Sequence, residues 1–195
     1  MILAYHSILT AYGFWLPNDP RGSWSDFVRR WELFRFGGAT KVTTRRSLAR
    51  VEHDVRRRVR AKQALRYPPV VFTGAQARAV GRGFAEAVAE GGYVIRACCI
   101  LPEHAHVVIA RHQRPIERIV GHLKAKATRR LRAEGLHPFA DFAREGQAPP
   151  SPWSRRGWHV YLNSPEAVAR AIRYVRQNPI REGKAPQRWR FVTPA

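Results

Sequence analysis

From Thr73 to Ala110 the hydrophobic period of the chain switches from that of a helix to that of a strand, with punctuation at each change. Thr73 and Gln76 form a capping-box pair, in which each side chain can satisfy a backbone N–H of the other at a helix start. The stripe Ala77, Val80, Phe84 and Val88 follows at spacings of three and four, and Gly91-Gly92 closes the helix. Residues 93–101 then read as a strand, Pro102-Glu103 as a tight connection and residues 104–110 as a second strand. Upstream, residues 2–10 are apolar and β-favouring apart from Tyr5, His6 and Ser7, and read as a first strand. Downstream, Pro115 opens a helix with the stripe Ile116, Ile119, Val120, Leu123, Ala127 and Leu131, ending at Gly135. Trp158 to Leu162 reads as a short strand. Ser164-Pro165-Glu166 starts a last helix, expected to end near Asn178 because a residue before proline resists the helical conformation.

The order is strand, helix, strand, strand, helix, strand, helix. Its first six elements match the ferredoxin-like β-α-β-β-α-β arrangement, an α+β fold whose antiparallel sheet carries two helices on one face and leaves the other for a site. The expectation is a single domain over residues 1–195 with a C-terminal catalytic helix and a helical and loop insertion, residues 15–70, after the first strand. Within the insertion, Trp15 to Gly38 is rich in Trp, Phe, Gly and Pro and reads as a loop with aromatic anchors. A basic helix is expected from about Thr44 to Leu65, with Leu48, Val51, Val55 and Val59 as its apolar positions among Arg45, Arg46, Arg50, Arg56, Arg57, Arg58, Arg60 and Lys62. Pro68-Pro69 breaks it. Residues 137–157, with Pro149-Pro150 and Pro152, read as an irregular surface loop.

Charge narrows the partners. The 35 Lys and Arg residues outnumber 14 Asp and Glu, a formal net charge of +21 at pH 7. Such an excess favours polyanions, nucleic acid first, because each neutralised phosphate releases condensed counterions. Cys98 and Cys99 are adjacent and form no disulfide framework, which fits a reducing compartment. No apolar run approaches the roughly 20 residues of a membrane helix, and Met1 to His6 lack the basic region of a secretory leader. A cytoplasmic protein, in a bacterial-type cytosol or nucleoid and without a membrane partner, is the expectation.

Two short stretches carry chemistry. His104-Ala105-His106 lies in an expected strand, where residues two apart share a face. Ala105, Val107 and Ile109 then form an apolar face towards the helices, and His104 and His106 point the other way, able to converge on one ion. In Tyr174-Val175-Arg176-Gln177-Asn178-Pro179, Tyr174 and Asn178 stack four apart on one helical face, with Tyr174 off the apolar stripe of Val168, Ile172 and Val175. The Asn178 amide oxygen is a hard donor suited to a divalent metal. A cation held by two imidazoles and an amide oxygen would act as Lewis acid on a phosphate, and a positioned tyrosine would attack it to leave a covalent phosphotyrosine. Mg²⁺ or Mn²⁺ suits a site that must keep positions open for phosphate oxygens.

Leu101-Pro102-Glu103-His104-Ala105-His106-Val107-Val108 resembles the HUH motif of single-tyrosine transposases. Tyr174-Val175-Arg176-Gln177-Asn178-Pro179-Ile180-Arg181-Glu182-Gly183 resembles the Y-x-x-x-N-P-x-R-x-G signature of the REP-associated tyrosine transposase branch. The resemblance spans roughly residues 93–134 and 153–192, with Tyr5-His6 fitting more loosely. It implies Tyr174 as nucleophile, His104, His106 and Asn178 as metal ligands, and hairpin-bearing single-stranded DNA as substrate, nicked to leave a 5′-phosphotyrosine. It also implies either a monomer or a homodimer with exchanged sites. The insertion is longer than such a family leads one to expect. Lys124, Lys126, Arg129 and Arg130 on the Pro115 helix, and Arg173, Arg176 and Arg181 around Tyr174, are the candidate DNA contacts, Lys124 at a position where the family often has a lysine.

Three other readings use the same residues. One is a nucleic-acid-binding protein derived from a transposase and without catalysis. A second is a structural zinc module combining Cys98 or Cys99 with His104 and His106; its weakness is that adjacent strand residues face opposite sides and leave the tetrahedral set incomplete. The third is a metal-dependent hydrolase that uses water as its nucleophile.

Overall fold

The computed structural model describes residues 1–17, 19, 31–38 and 52–193. They form an α+β structure with four strands and five helices: β1 (Ala4–Thr10), α1 (Trp31–Phe34), α2 (Val55–Gln63), α3 (Gly74–Gly91), β2 (Ile95–Ile100), β3 (His104–Ala110), α4 (Ile116–Ala133), β4 (Trp158–Leu162) and α5 (Pro165–Arg181). The chain divides into two compact units, one of Met1–Ala11 with Val71–Ala195 and the other of Tyr12–Val70.

In the larger unit the strands pair antiparallel in the order β2-β3-β1-β4. β1 and β2, joined through α3, are separated by β3, so the central strands β1 and β3 are hydrogen-bonded on both edges. Strand alternation sorts their side chains. Leu9 on β1 and Ala105, Val107 and Ile109 on β3 are fully buried on the face covered by α3 and α4, which pack against each other. On the other face Ala4, Ala97, Cys99, Leu101, Val108 and Leu162 form one apolar cluster with Ala171, Ile172 and Val175 of α5. The outer edge of β2 is covered by the C-terminal tail: the Gln187 amide accepts from Ile100 N and donates to Ile100 O, both at 2.8 Å, and Val192 bridges Ile95. This blunts an edge that would otherwise expose unpaired backbone groups.

The helix ends follow their residues. Thr73 and Gln76 form the expected reciprocal cap, and Gly92 adopts the left-handed conformation at φ 64° that ends α3. All six positions of the expected α4 stripe are buried. In α3 the buried positions centre on Val80 and Phe84, while Ala77 and Val88 are only half-buried. The remainder of the contact is made by small residues: Ala79, Gly83 and Ala87 line one side of α3. A Cβ placed on Gly83 would meet the Ala127 backbone at 2.5–2.6 Å, so the two helices touch backbone to backbone at that point.

Four expectations need correction. α5 does not stop at Asn178; it continues through Pro179 to Arg181. Proline removes one hydrogen bond, to the carbonyl four residues earlier, and near a C-terminus that loss is confined to one turn. Here Glu182 N still reaches Asn178 O and Lys184 N reaches Pro179 O at 2.8 Å. The basic helix begins at Val55, since Asp54 is its cap and its carboxylate accepts from Arg57 N at 2.9 Å; residues 44–51 of the expected helix, with Arg45, Arg46, Leu48, Arg50 and Val51, lie outside the described residues. Its packed side is also not the expected one. Val55 and Val59 are 52% and 45% exposed, while Ala61 is buried against Leu33 and Phe36, because a charged helix of nine residues docks in the smaller unit through its least bulky position. Part of the aromatic loop at 15–38 is the short helix α1. Residues 137–157 are irregular apart from a 3-10 turn at Ala140–Phe142, yet Phe139 and Trp153 are buried from within that stretch.

Gly83→Ala is expected to destabilise the protein by about 1–3 kcal/mol, the usual range for overpacking against backbone that cannot rotate away. Urea unfolding of the variant measures it; a variant as stable as the parent would show that α3 and α4 can separate freely.

Candidate active site

The antiparallel register of β1 and β3 builds the site. Ile8 pairs with His106 and Thr10 with His104, while His6 lies opposite Val108, so His6, His104 and His106 share the sheet face that α5 crosses. The His104 and His106 rings lie 4.8 Å apart between centroids, and His6 lies 5.1 Å from His106. His6 Nε2 and His106 Nδ1 are 3.0 Å apart and share a hydrogen bond. Tyr174 projects from α5 over this group, its ring 5.5 Å from His106 and 5.7 Å from His6. Two distant motifs therefore meet within one chain.

His106 is 3% exposed, yet its surroundings are polar: His6, His104, Tyr174 and the Cys99 thiol that it faces across β2. Burial, reinforced by the neighbouring imidazoles of His104 and His6, pushes its pKa well below the ordinary histidine value. Burial alone takes His6 down to about 4. Both rings are thus neutral near pH 7, the form whose lone pair can accept a proton or bind a cation. Since His106 Nδ1 is engaged by His6, Nε2 is the nitrogen left to face other partners. His6 is a residue that sequence reasoning assigned no role; the available signal was its place on an expected strand with the parity of an inward polar position.

Tyr174 is 38% exposed, open enough to receive a substrate. Burial of the remainder raises its pKa, and the Arg181 guanidinium, 5.6 Å from the ring centroid, works against that rise. Arg181 in turn donates to Gln177 Oε1 at 3.1 Å. Asn178, buried at 7% exposure, hydrogen-bonds the Cys99 thiol beneath His106. The thiol itself is held protonated, its pKa pushed to about 12 chiefly by burial.

The donor set suits a hard divalent cation only as a partial cage. Two imidazoles on one strand face, with the Asn178 amide held at the neighbouring Cys99 thiol, leave positions for phosphate oxygens and water. Among the described residues no group of three or more His, Cys, Asp or Glu side chains is arranged to hold a metal ion. Cys98 and Cys99 lie at successive positions of β2 and point to opposite sheet faces, so only one of them could join His104 and His106, and among the described residues no further Cys, His, Asp or Glu completes a tetrahedral zinc set.

The basic residues separate into two groups. Arg173, Arg176 and Arg181 are exposed on α5, and of the three Arg181 lies over the Tyr174 ring. Lys124, Lys126 and Arg130 lie on α4, in the layer on the opposite sheet face, and are engaged there: Lys126 pairs with Glu90, Arg130 with Glu86, and Lys124 donates to Ser154 O at 2.9 Å and to Arg156 O, with its ammonium 5.9 Å from the Trp153 ring centroid. Arg129 is exposed on the same helix. Lys124 thus ties the loop before β4 to α4. Trp153 is buried at 4% exposure against Phe72 and Phe84 and is a core residue.

No protein-family model matches the sequence, and no curated protein is significantly similar to it. Among solved structures the chain is similar to a REP-associated tyrosine transposase bound to a REP hairpin, at 12% identity and a TM-score of 0.48, over 94% of this chain and 70% of that one. A likeness at this level concerns the course of the backbone and leaves the chemistry to be read from the residues themselves. No helix among the described residues is long and apolar enough to cross a membrane.

Burial lowers the Lys124 pKa from 10.5 to about 8. Between those values the unfolded chain holds a proton at this position that the folded chain does not, so folding stability rises with pH across the window. Relative to Lys124→Met, which cannot titrate, the parent should gain stability as pH rises from about 8 to 10.5. Paired urea titrations along that range test it, and a constant difference would contradict the burial of this ammonium.

Proposed function

We propose that the chain is a transposase-type endonuclease and strand transferase acting on single-stranded DNA with hairpins, with Tyr174 as its nucleophile. The observation that carries the reading is the placement of one accessible tyrosine, on α5, directly over a cluster of neutral histidines contributed by β1 and β3. A ferredoxin-like arrangement of sheet and helices is part of the same proposal, supported by the element order and by the strand order β2-β3-β1-β4.

In this reading the scissile phosphate lies between Tyr174 and the imidazoles. His104 and His106 would hold Mg²⁺ or Mn²⁺, with Asn178 as a further donor, and the bound ion would supply Lewis-acid polarisation of the phosphate. The protein's own groups do the remainder. The resting phenol is protonated, since burial raises its pKa, and it loses its proton as the Oη–P bond forms. The P–O3′ bond breaks, and the departing 3′ oxygen takes up a proton. The product is a 5′-phosphotyrosine that retains the energy of the phosphodiester, so a 3′ hydroxyl can later reverse the step on the same or another strand. Arg173, Arg176 and Arg181 would hold flanking phosphates, with Arg181 also orienting the Tyr174 ring by its stacking contact. Arg129 is an exposed α4 cation available to a strand running past the other face. His6 is a positioning residue in this reading: with His106 Nδ1–H donating to His6 Nε2, the pair would leave the His106 Nε2 lone pair for the cation.

Tyr174→Phe should abolish the denaturation-resistant adduct between protein and hairpin oligonucleotide, a loss of at least about 10⁴-fold in cutting, with oligonucleotide binding retained. EDTA should stop cutting by the parent, and Mg²⁺ or Mn²⁺ should restore it. If the phenylalanine variant forms the adduct or cuts as the parent does, the proposal fails; cutting without any adduct would point to water as the nucleophile.

His6→Ala should lower cutting about 10–100-fold, the usual effect of losing a group that orients a metal-binding histidine. The concentration of Mn²⁺ giving half-maximal cutting should rise with it. Unchanged metal dependence would reduce His6 to a packing role.

A further inference from the structure

The smaller unit, Tyr12–Val70, contains none of the residues assigned above, yet its described surface carries two features of its own. The first is an open depression of about 450 Å³ lined by Arg35, Phe36, Asp54, Arg56, Arg57 and Arg60. Four guanidinium groups surround it against one carboxylate, and that carboxylate is used as the cap of α2, accepting from Arg57 N. Arg57 is oriented by donating to Arg35 O at 3.2 Å, while Arg56 and Arg60, one helical turn apart and exposed, take part in no ion pair among the described residues. So many like charges in one depression repel one another, and an anion is what relieves them. The Arg35 guanidinium is stacked 4.9 Å from the Phe36 ring centroid, which steadies it at the rim.

The second feature is aromatic. α1 buries Leu33 and leaves Trp31 84% and Phe34 46% exposed, their rings 5.9 Å apart and inclined by 35°. An indole turned this far into water takes no part in the cluster of Leu33, Phe36 and Ala61 on which α1 rests. Arg35 follows α1 directly, so the aromatic pair and the arginine-lined depression adjoin in sequence. Guanidinium groups that take successive phosphates, next to flat apolar rings that take unpaired bases, are the combination that single-stranded nucleic acid requires. Duplex DNA would meet the charges but has no free base face to offer the rings.

We infer that the Tyr12–Val70 unit is a second binding site, for a single strand of DNA, in which Arg35, Arg56, Arg57 and Arg60 hold the phosphate backbone and Trp31 and Phe34 stack on bases. It uses residues separate from the cutting centre, although the choice of DNA as the polyanion rests on the function proposed above. It gives the insertion a purpose: gripping an unpaired flank of the substrate.

The test uses the full chain carrying Tyr174→Phe, so that the probe is not cut, and fluorescence anisotropy with labelled oligodeoxythymidine over a series of salt concentrations. Replacing Arg56 and Arg60 together by Gln should reduce the slope of log K against log salt by about 1.4, at about 0.7 per lost contact on a single strand; replacing both by Lys should keep the slope. Trp31→Ala should weaken single-strand binding roughly fivefold or more and leave both the salt slope and duplex binding unchanged. Both sites are exposed, and thermal unfolding of each variant checks that it folds. The inference is overturned if either the Gln pair or the Trp31 variant binds the single strand as the parent does, or if Trp31→Ala weakens duplex binding equally. Tighter binding of oligouridine than of oligodeoxythymidine overturns the choice of DNA. Cutting of hairpin oligonucleotides by the corresponding variants with Tyr174 intact is read separately. A failed cutting assay with normal strand binding removes the nuclease proposal alone, and the reverse result removes only this one.

Discussion

The antiparallel pairing of β1 with β3 is the constraint on which the rest of the larger unit depends. In a strand the side chains alternate with a period of two, so a slip of one residue would reverse every assignment of face. The register that sets Ile8 against His106 and Thr10 against His104 sends Leu9, Ala105, Val107 and Ile109 to the α3–α4 layer, and His6, His104 and His106 to the face beneath α5. Apolar burial holds that register: each side chain on the α3–α4 face is removed from water, and each is worth roughly 1.5–3 kcal/mol when large. The histidines are thus placed by the packing of their neighbours more than by any bond they make themselves.

α5 completes the arrangement through the same division of labour. Ala171, Ile172 and Val175 dock on the sheet and fix the rotation of the helix, and that rotation leaves Tyr174 at the edge of the contact, half open to solvent and over the imidazoles. The continuation of the helix through Pro179 keeps Asn178 and Arg181 in phase with Tyr174, so Asn178 turns inward to the Cys99 thiol and Arg181 outward over the phenol ring. Two turns of helix therefore carry a buried amide, a partly exposed phenol and a guanidinium. On the opposite face, close approach of α3 and α4 at Gly83 and Ala127 makes a rigid backing on which the central strands cannot easily shift.

The smaller unit is organised differently. Among its described residues, Leu33, Phe36 and Ala61 form one buried cluster with Leu16, Ala64 and Leu65 around them. On its described surface Arg56, Arg57 and Arg60 and the rings of Trp31 and Phe34 face outward. Like charges gathered on one described surface repel one another, which is the physical basis of the binding site inferred for this unit.

Residue pattern alone was sufficient for the order of the elements in the larger unit, the limits of β3 and β4, the reciprocal cap at Thr73 and Gln76, and the whole buried stripe of α4. These are local matters: hydrophobic period, capping chemistry and turn residues act within a few positions of one another, and they leave their record in adjacent letters. The pairing of His104 and His106 on one strand face was legible for the same reason. What required the fold was everything that joins distant segments. His6 became part of the site only through the β1–β3 register. Lys124, Lys126 and Arg130 were visible as charges, but their partners Ser154, Arg156, Glu90 and Glu86 lie 30–44 residues away and became apparent only when the helices and loop were packed. The exposed faces of Val55, Val59 and Trp31 likewise depended on which side of a short helix found a partner. Period tells that a helix has two sides; only the tertiary contacts decide which of them water sees.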